Sequence, residues 1–212
     1  MKTDSKQPVM RAVSSVEQIN ATTVVGVCTS LKPAPGVEGN SATRSFLKYS
    51  LDAVSAIYPN TYLLDLRDYK LPFFDGRMPH EYQSTDLEIV RSCVNQAGAL
   101  LLSVAAYWSG VSGVFKNFVD LLCGPAYDLD GDLQTVFTNK PVGLVIVGAD
   151  LASAETGVLH ARQIMSSTGA VVVAEPLAIA NPRAGNLDPQ VLSSELVVLG
   201  AQLAQYAIRR QK

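Results

Sequence analysis

Five apolar runs rich in β-branched residues recur along this chain, at 24–28, 62–66, 99–104, 142–147 and 170–174, and each is continuous where a half-buried strand would alternate. A continuous run predicts a strand covered on both faces, as in a parallel sheet whose crossover helices lie above and below it. The stretches between the runs carry the matching helical period. Leu47, Leu51, Val54 and Ile57 follow at steps of 4, 3 and 3, and Leu87, Val90, Val94 and Ala97 at steps of 3, 4 and 3. A last series passes through Leu192, Leu196, Leu199, Leu203 and Tyr206, and each series places its apolar residues on one helix face.

Alternating strand and helix without internal repeats predicts an α/β fold, a doubly wound five-stranded parallel sheet with helices on both faces. Five strands suggest the flavodoxin-like order 2-1-3-4-5, which periodicity alone does not fix. With 212 residues and 48% hydrophobic content, the chain can bury one sizeable core. We read 23–212 as a single domain and the polar segment 1–22 as a flexible N-terminal extension. The stretches 32–39, rich in Pro and Gly, and 124–139 read as inserted loops, not domain boundaries.

A net charge of -2 with no cluster of Lys or Arg argues against nucleic-acid or membrane partners and leaves small-molecule chemistry. Cys28, Cys93 and Cys123 lie in apolar segments without CxxC spacing, which reads as buried reduced thiols and a cytoplasmic location. No apolar run approaches the roughly 20 residues of a membrane helix. His80 and His160 are isolated, and Asp128, Asp130 and Asp132 miss the spacing of a calcium loop, so no metal site is expected. Neither a P-loop nor a G-x-G-x-x-G fingerprint occurs.

Two loops at predicted strand ends carry the chemistry. After the first strand come Thr29, Ser30, Leu31 and Lys32, and then Gly39-Asn-Ser41-Ala-Thr43-Arg44-Ser-Phe-Leu47, where a helix begins. Hydroxyls, backbone N–H groups and a nearby ammonium at a helix N-terminus suit a phosphate. Ser41 taken alone reads equally well as an ordinary N-cap. After the third strand stands Ala105-Ala-Tyr-Trp-Ser-Gly-Val-Ser-Gly-Val-Phe-Lys-Asn-Phe-Val-Asp120, a turn of small residues opening into a helix. Tyr107 and Trp108 could pack on a flat ring, while Lys116 and Asn117 read as residues that hold the loop.

This second segment resembles the flavin-ring loop of the NAD(P)H-dependent FMN reductases, Pro-Glu-Tyr-Asn-x-Ser-x-Pro-Gly-x-Leu-Lys-Asn-x-x-Asp. Tyr107, Gly110, Gly113, Lys116, Asn117 and Asp120 fall on the pattern, and Ala105, Ala106, Trp108 and Ser112 depart from it. The first segment is similar to that family's phosphate loop, with Ser30, Lys32, Ser41, Thr43 and Leu47 on matching positions and Lys in place of Arg. Arg44 either takes over the missing guanidinium's role or is a solvated helix residue. The turn Gly148-Ala149-Asp150 and the segment Leu71-Pro-Phe-Phe-Asp-Gly76 have weaker counterparts there.

The resemblance implies a flavoprotein oxidoreductase that passes hydride from NADPH to FMN and on to free flavin or a small acceptor such as a quinone. The alternative is a non-catalytic electron carrier or a homologue that has lost its cofactor. Implied cofactor contacts are Ser30, Lys32, Ser41, Thr43, Ala105, Ala106, Tyr107, Trp108, Ser109, Gly110 and Gly148, with no catalytic side chain required because flavin carries the redox chemistry. The resemblance also implies a homodimer or homotetramer. The helix 114–122 agrees, since Phe115, Phe118, Val119, Leu121 and Leu122 spread over more than one face and call for a second covering surface.

Overall fold

The computed structural model describes residues 16–32, 41–58, 60–125, 135–180 and 189–209. Its sheet is built on the parallel strands β1 (Val24–Cys28), β2 (Thr61–Asp65), β3 (Ala99–Tyr107) and β5 (Pro141–Gly148). Beside β5 lie two short parallel pieces, β6 (Val171–Val172) and β7 (Leu177–Ala180). The spatial order is β2-β1-β3-β5-β6, the predicted 2-1-3-4-5 with the fifth strand in two parts. The break has a local cause. Ala174 takes φ 71, in the left-handed region, and Pro176 can donate no ladder hydrogen bond.

Among the described residues five α-helices flank the sheet: α1 (Ala42–Ser55), α2 (Thr85–Gln96), α3 (Gly113–Cys123), α4 (Leu151–Ser167) and α5 (Pro189–Arg209). The continuous run of β3 divides between two cores. Ala99 and Leu101 join Leu47, Leu51, Leu199 and Leu203 under α1 and α5. Leu100, Leu102, Val104 and Ala106 join Leu87, Val94, Phe115 and Met165 under α2, α3 and α4. Burial on both faces is what removes the polar alternation from the sequence. Ile57 is exposed because α1 stops at Ser55, and Tyr206 is exposed because the buried face of α5 passes instead through Ala204 and Ala207.

Three expectations change. Phe115, Phe118, Val119, Leu121 and Leu122 are all buried within the chain, with Phe118 edge-to-face on Phe137 at 6.1 Å. Helix α3 therefore needs no second copy to cover it, and the apolar-face argument for an oligomer falls. Packing also begins before residue 23: Val16 and Ile19 join the core, and Asn20 Oδ1 accepts from Thr22. Residues 1–15 of the expected extension, most of both inserted loops and the Asp128, Asp130, Asp132 group lie outside the described residues. Finally, β3 runs three residues further than predicted and turns back antiparallel into β4 (Gly110–Val111), so the ring loop is a hairpin tip. No described helix is long and apolar enough to cross a membrane.

Candidate functional site

The carboxyl ends of β1, β3 and β5 open on a cleft of about 230 Å³, lined by Lys32, Ser41, Ala42, Thr43, Ala105, Ala106, Tyr107, Val147, Gly148 and Ala149. Ligands in open α/β sheets bind at this edge because strand and helix termini leave unpaired backbone groups there. Seven expected contacts line it: Lys32, Ser41, Thr43, Ala105, Ala106, Tyr107 and Gly148. Ser30 stands one layer behind. Trp108, Ser109 and Gly110 are at the hairpin tip, outside the lining. Ala42, Val147 and Ala149 were not anticipated, since small apolar residues carry no chemical signal in a sequence.

At the phosphate-loop end, Ser41 is the N-cap of α1. Its Oγ accepts from the Arg44 N–H at 3.3 Å, the N-cap bond, and donates to Ser30 Oγ at 2.8 Å. The N–H groups of Ala42 and Thr43 make no hydrogen bond among the described residues and stand at the positive end of the 14-residue α1. Buried Ser103 anchors that terminus from below. Its Oγ donates to the Thr43 carbonyl at 2.7 Å, and its own carbonyl accepts from the N–H and Oγ of Thr29 at 3.2 and 3.0 Å.

Charge distinguishes this terminus from its neighbour. Helix α4 begins at the same edge, but its N-cap is Asp150, whose carboxylate accepts from Ser153 N at 2.7 Å and Ser153 Oγ at 3.1 Å. That carboxylate already answers the α4 dipole and repels a second anion. Helix α1 has a neutral cap and no acidic residue in its first turn, so its dipole is left without a counter-charge there.

Arg44 is neither a free phosphate ligand nor a solvated residue. It is 4% exposed, its Nε and Nη2 grip the Asp65 carboxylate, with Nη2 to Oδ1 at 3.1 Å, and its remaining N–H groups reach the carbonyls of Ser30 at 3.1 Å and Lys32 at 3.3 Å. The Asp65 hydrogen bond raises its already high pKa. Arg67 adds a contact to Asp65 at 3.3 Å. Lys32 is the exposed cation of the loop, its Nζ 5.8 Å from the centre of the Tyr107 ring, so it spans the cleft between its two ends.

At the other end, the backbone of Ala105 is committed: it pairs with Val147 and its carbonyl accepts from Ser112 N at 2.8 Å. The small side chains have a packing reason. A Cβ added at Gly157 of α4 would come within 2.8 Å of the Ala106 Cβ, so α4 lies close against the strand at Ala106. Gly148 is set likewise by α4, since its Cβ would meet Ala154 N at 2.7 Å. Tyr107 is half exposed at the rim, and Trp108 is 99% exposed. Trp108 and Ser109 take φ 50 and 58, both positive as a two-residue type I′ hairpin turn demands, although neither is glycine.

Asn117 holds a loop, but a different one from the hairpin: it accepts from Phe74 N at 2.8 Å and donates to the Pro72 carbonyl at 2.9 Å, clasping the segment after β2. Lys116 pairs with Asp120 at 2.7 Å on the helix surface. Arg77 is taken up by Asp75, at 2.8 Å, and stacks on Tyr82. Cys28 and Cys93 are buried; burial raises both thiol pKa values, that of Cys93 to about 11, so neither is a nucleophile near neutrality.

An uncommitted helix N-terminus, a neutral cap, a cation across the gap and a floor of small residues leading to an aromatic rim fit a flat ligand with a terminal phosphate. The model of the NADPH-dependent FMN reductases matches residues 22–183. The chain belongs to that family. It is accordingly an NAD(P)H-dependent flavin oxidoreductase, and FMN is its flavin. An apo NADH:FMN oxidoreductase has a similar fold at TM-score 0.66 and 15% identity, covering 87% of this chain and 89% of its own. So has the NAD(P)H:acceptor flavoenzyme of Paracoccus denitrificans, at 0.61 and 14%, covering 86% and 97%. An archaeal flavodoxin matches at 0.56 and 11%, covering 87% and 97%, which makes the architecture flavodoxin-like.

Proposed function

We propose that this chain oxidises NADPH through FMN held in the cleft and passes the electrons to free flavin or a small acceptor such as a quinone. When bound, the flavin supplies the redox chemistry, accepting a hydride at its ring. The protein's part is to hold, orient and shield it. The observation that carries the reading is the α1 terminus, where Ala42 and Thr43, whose N–H groups make no hydrogen bond among the described residues, and the neutral Ser41 cap line the cleft beside Lys32. In this reading the α1 terminus would hold the phosphate, and Thr43, Gly148, Ala105, Ala106 and Tyr107 would line the rest of the site. Trp108, Ser109 and Gly110 then border the face open to nicotinamide and acceptor.

The test is the visible spectrum of the purified protein loaded with FMN, followed by NADPH without oxygen. Bleaching followed by recovery on adding a quinone supports the proposal. A yellow protein that NADPH leaves unchanged is an electron carrier, and failure to bind FMN identifies a homologue without its cofactor.

A further inference from the structure

Beneath the cleft lies a polar assembly that the chemistry above does not use. Asp65, at the end of β2, and Arg44, in the first turn of α1, are both under a tenth exposed and face each other as a two-pronged ion pair. The guanidinium has two further bonds, and both go to the backbone just after β1: Nη2 to the Ser30 carbonyl and Nη1 to the Lys32 carbonyl. One side chain thus ties three segments together: the end of β2, the loop after β1 and the helix that receives the phosphate. Its own N–H is the one that Ser41 caps. A buried ion pair contributes little net stability, and breaking it leaves an uncompensated charge, so a pair in this place points to holding a geometry.

Resting on the flavin reading above, we propose that Arg44 and Asp65 are positioning residues. They clamp the Ser30 and Lys32 backbone against the α1 terminus in the shape that receives the FMN phosphate, without touching it. Carbonyls drawn toward Arg44 are turned away from the anion, which leaves N–H groups and the Lys32 side chain to face it. Lysine at 44 keeps the charge but cannot fork across Asp65 and two carbonyls at once. Asparagine at 65 keeps one acceptor oxygen and loses the charge that holds the guanidinium in place.

The experiment compares FMN with riboflavin, the same ring and sugar chain without the phosphate, by fluorescence titration of wild type, Arg44→Lys and Asp65→Asn. The wild type should prefer FMN. Each variant should lose about tenfold in FMN affinity, the scale of one charge-assisted contact, with riboflavin affinity unchanged. Equal losses for both ligands would reduce the pair to fold support and overturn the proposal, as would no loss at all. A gain in FMN affinity for Asp65→Asn would also overturn it, because Arg44 would then be a phosphate ligand held back by its partner. If one variant does not fold, the other still decides. Wild type with no preference for FMN over riboflavin would instead defeat the placement of the phosphate itself, a failure visible before any variant is made.

Discussion

Ser41→Asp should separate the stability of this protein from its capacity to bind flavin. Ser41 caps α1 through Arg44 N and bonds Ser30 at 2.8 Å, and it is 3% exposed. Aspartate is as good an N-cap as serine, and its charge gains roughly 0.3–1 kcal/mol from the helix dipole. The Ser30 hydroxyl can rotate to donate to it. The unliganded variant should therefore unfold at or slightly above the wild-type temperature. A phosphate on the same terminus, however, would lie about 4 Å from the new carboxylate, where two like charges repel by about 4 kcal/mol at an effective dielectric of 20. FMN affinity should fall by roughly a thousandfold. Ser41→Ala should behave oppositely: loss of the cap and of the Ser30 bond costs about 1–2 kcal/mol, lowering Tm by several degrees, while flavin binding weakens far less. Thermal unfolding without ligand and titration with FMN give the two readouts. Wild-type FMN affinity in Ser41→Asp would refute the assignment of the phosphate to α1.

Ser109→Gly should raise stability by up to about 1 kcal/mol in thermal melts, because glycine has no Cβ penalty at φ 58. Trp108→Ala should change the acceptor's KM more than the FMN affinity, since the exposed indole borders the open face and makes no part of the cleft wall. Gly148→Ala should destabilise the fold by about 1–3 kcal/mol in denaturant unfolding, because its Cβ meets backbone 2.7 Å away that cannot swing aside. Stability should decline as pH rises from about 9 to about 11 in pH-dependent melts: the Cys93 thiol ionises near 9.0 when unfolded but near 11 when folded, so the unfolded state loses its proton first. Cys93→Ala should make that decline shallower, leaving the part due to Cys123, whose thiol burial also pushes up to about 11.

What the sequence determined by itself were the features whose cause is local or periodic. A run buried on both faces has to be continuously apolar, so β1 is legible residue for residue and β3 and β5 to within their last turns of chain. A serine before an apolar period has to cap a helix, and a hydroxyl-rich loop after a strand has to sit at the sheet's carboxyl edge. Residues whose role comes from distant partners were not legible. Asp65 at a strand end carries no signal; its meaning arises from Arg44, 21 positions earlier. Ser103 looks like an interruption in an apolar strand until the Thr43 carbonyl is found above it. Ala106 reads as a departure from a pattern, yet it lies where α4 presses on the sheet through Gly157. Helix α3 appeared to need a partner because its apolar residues go round the helix, and the tertiary structure supplied the cover from within the chain. Local patterns record burial and turns; the identity of the atoms doing the burying, and the direction in which a guanidinium is pulled, is decided only when segments far apart in sequence are brought into contact.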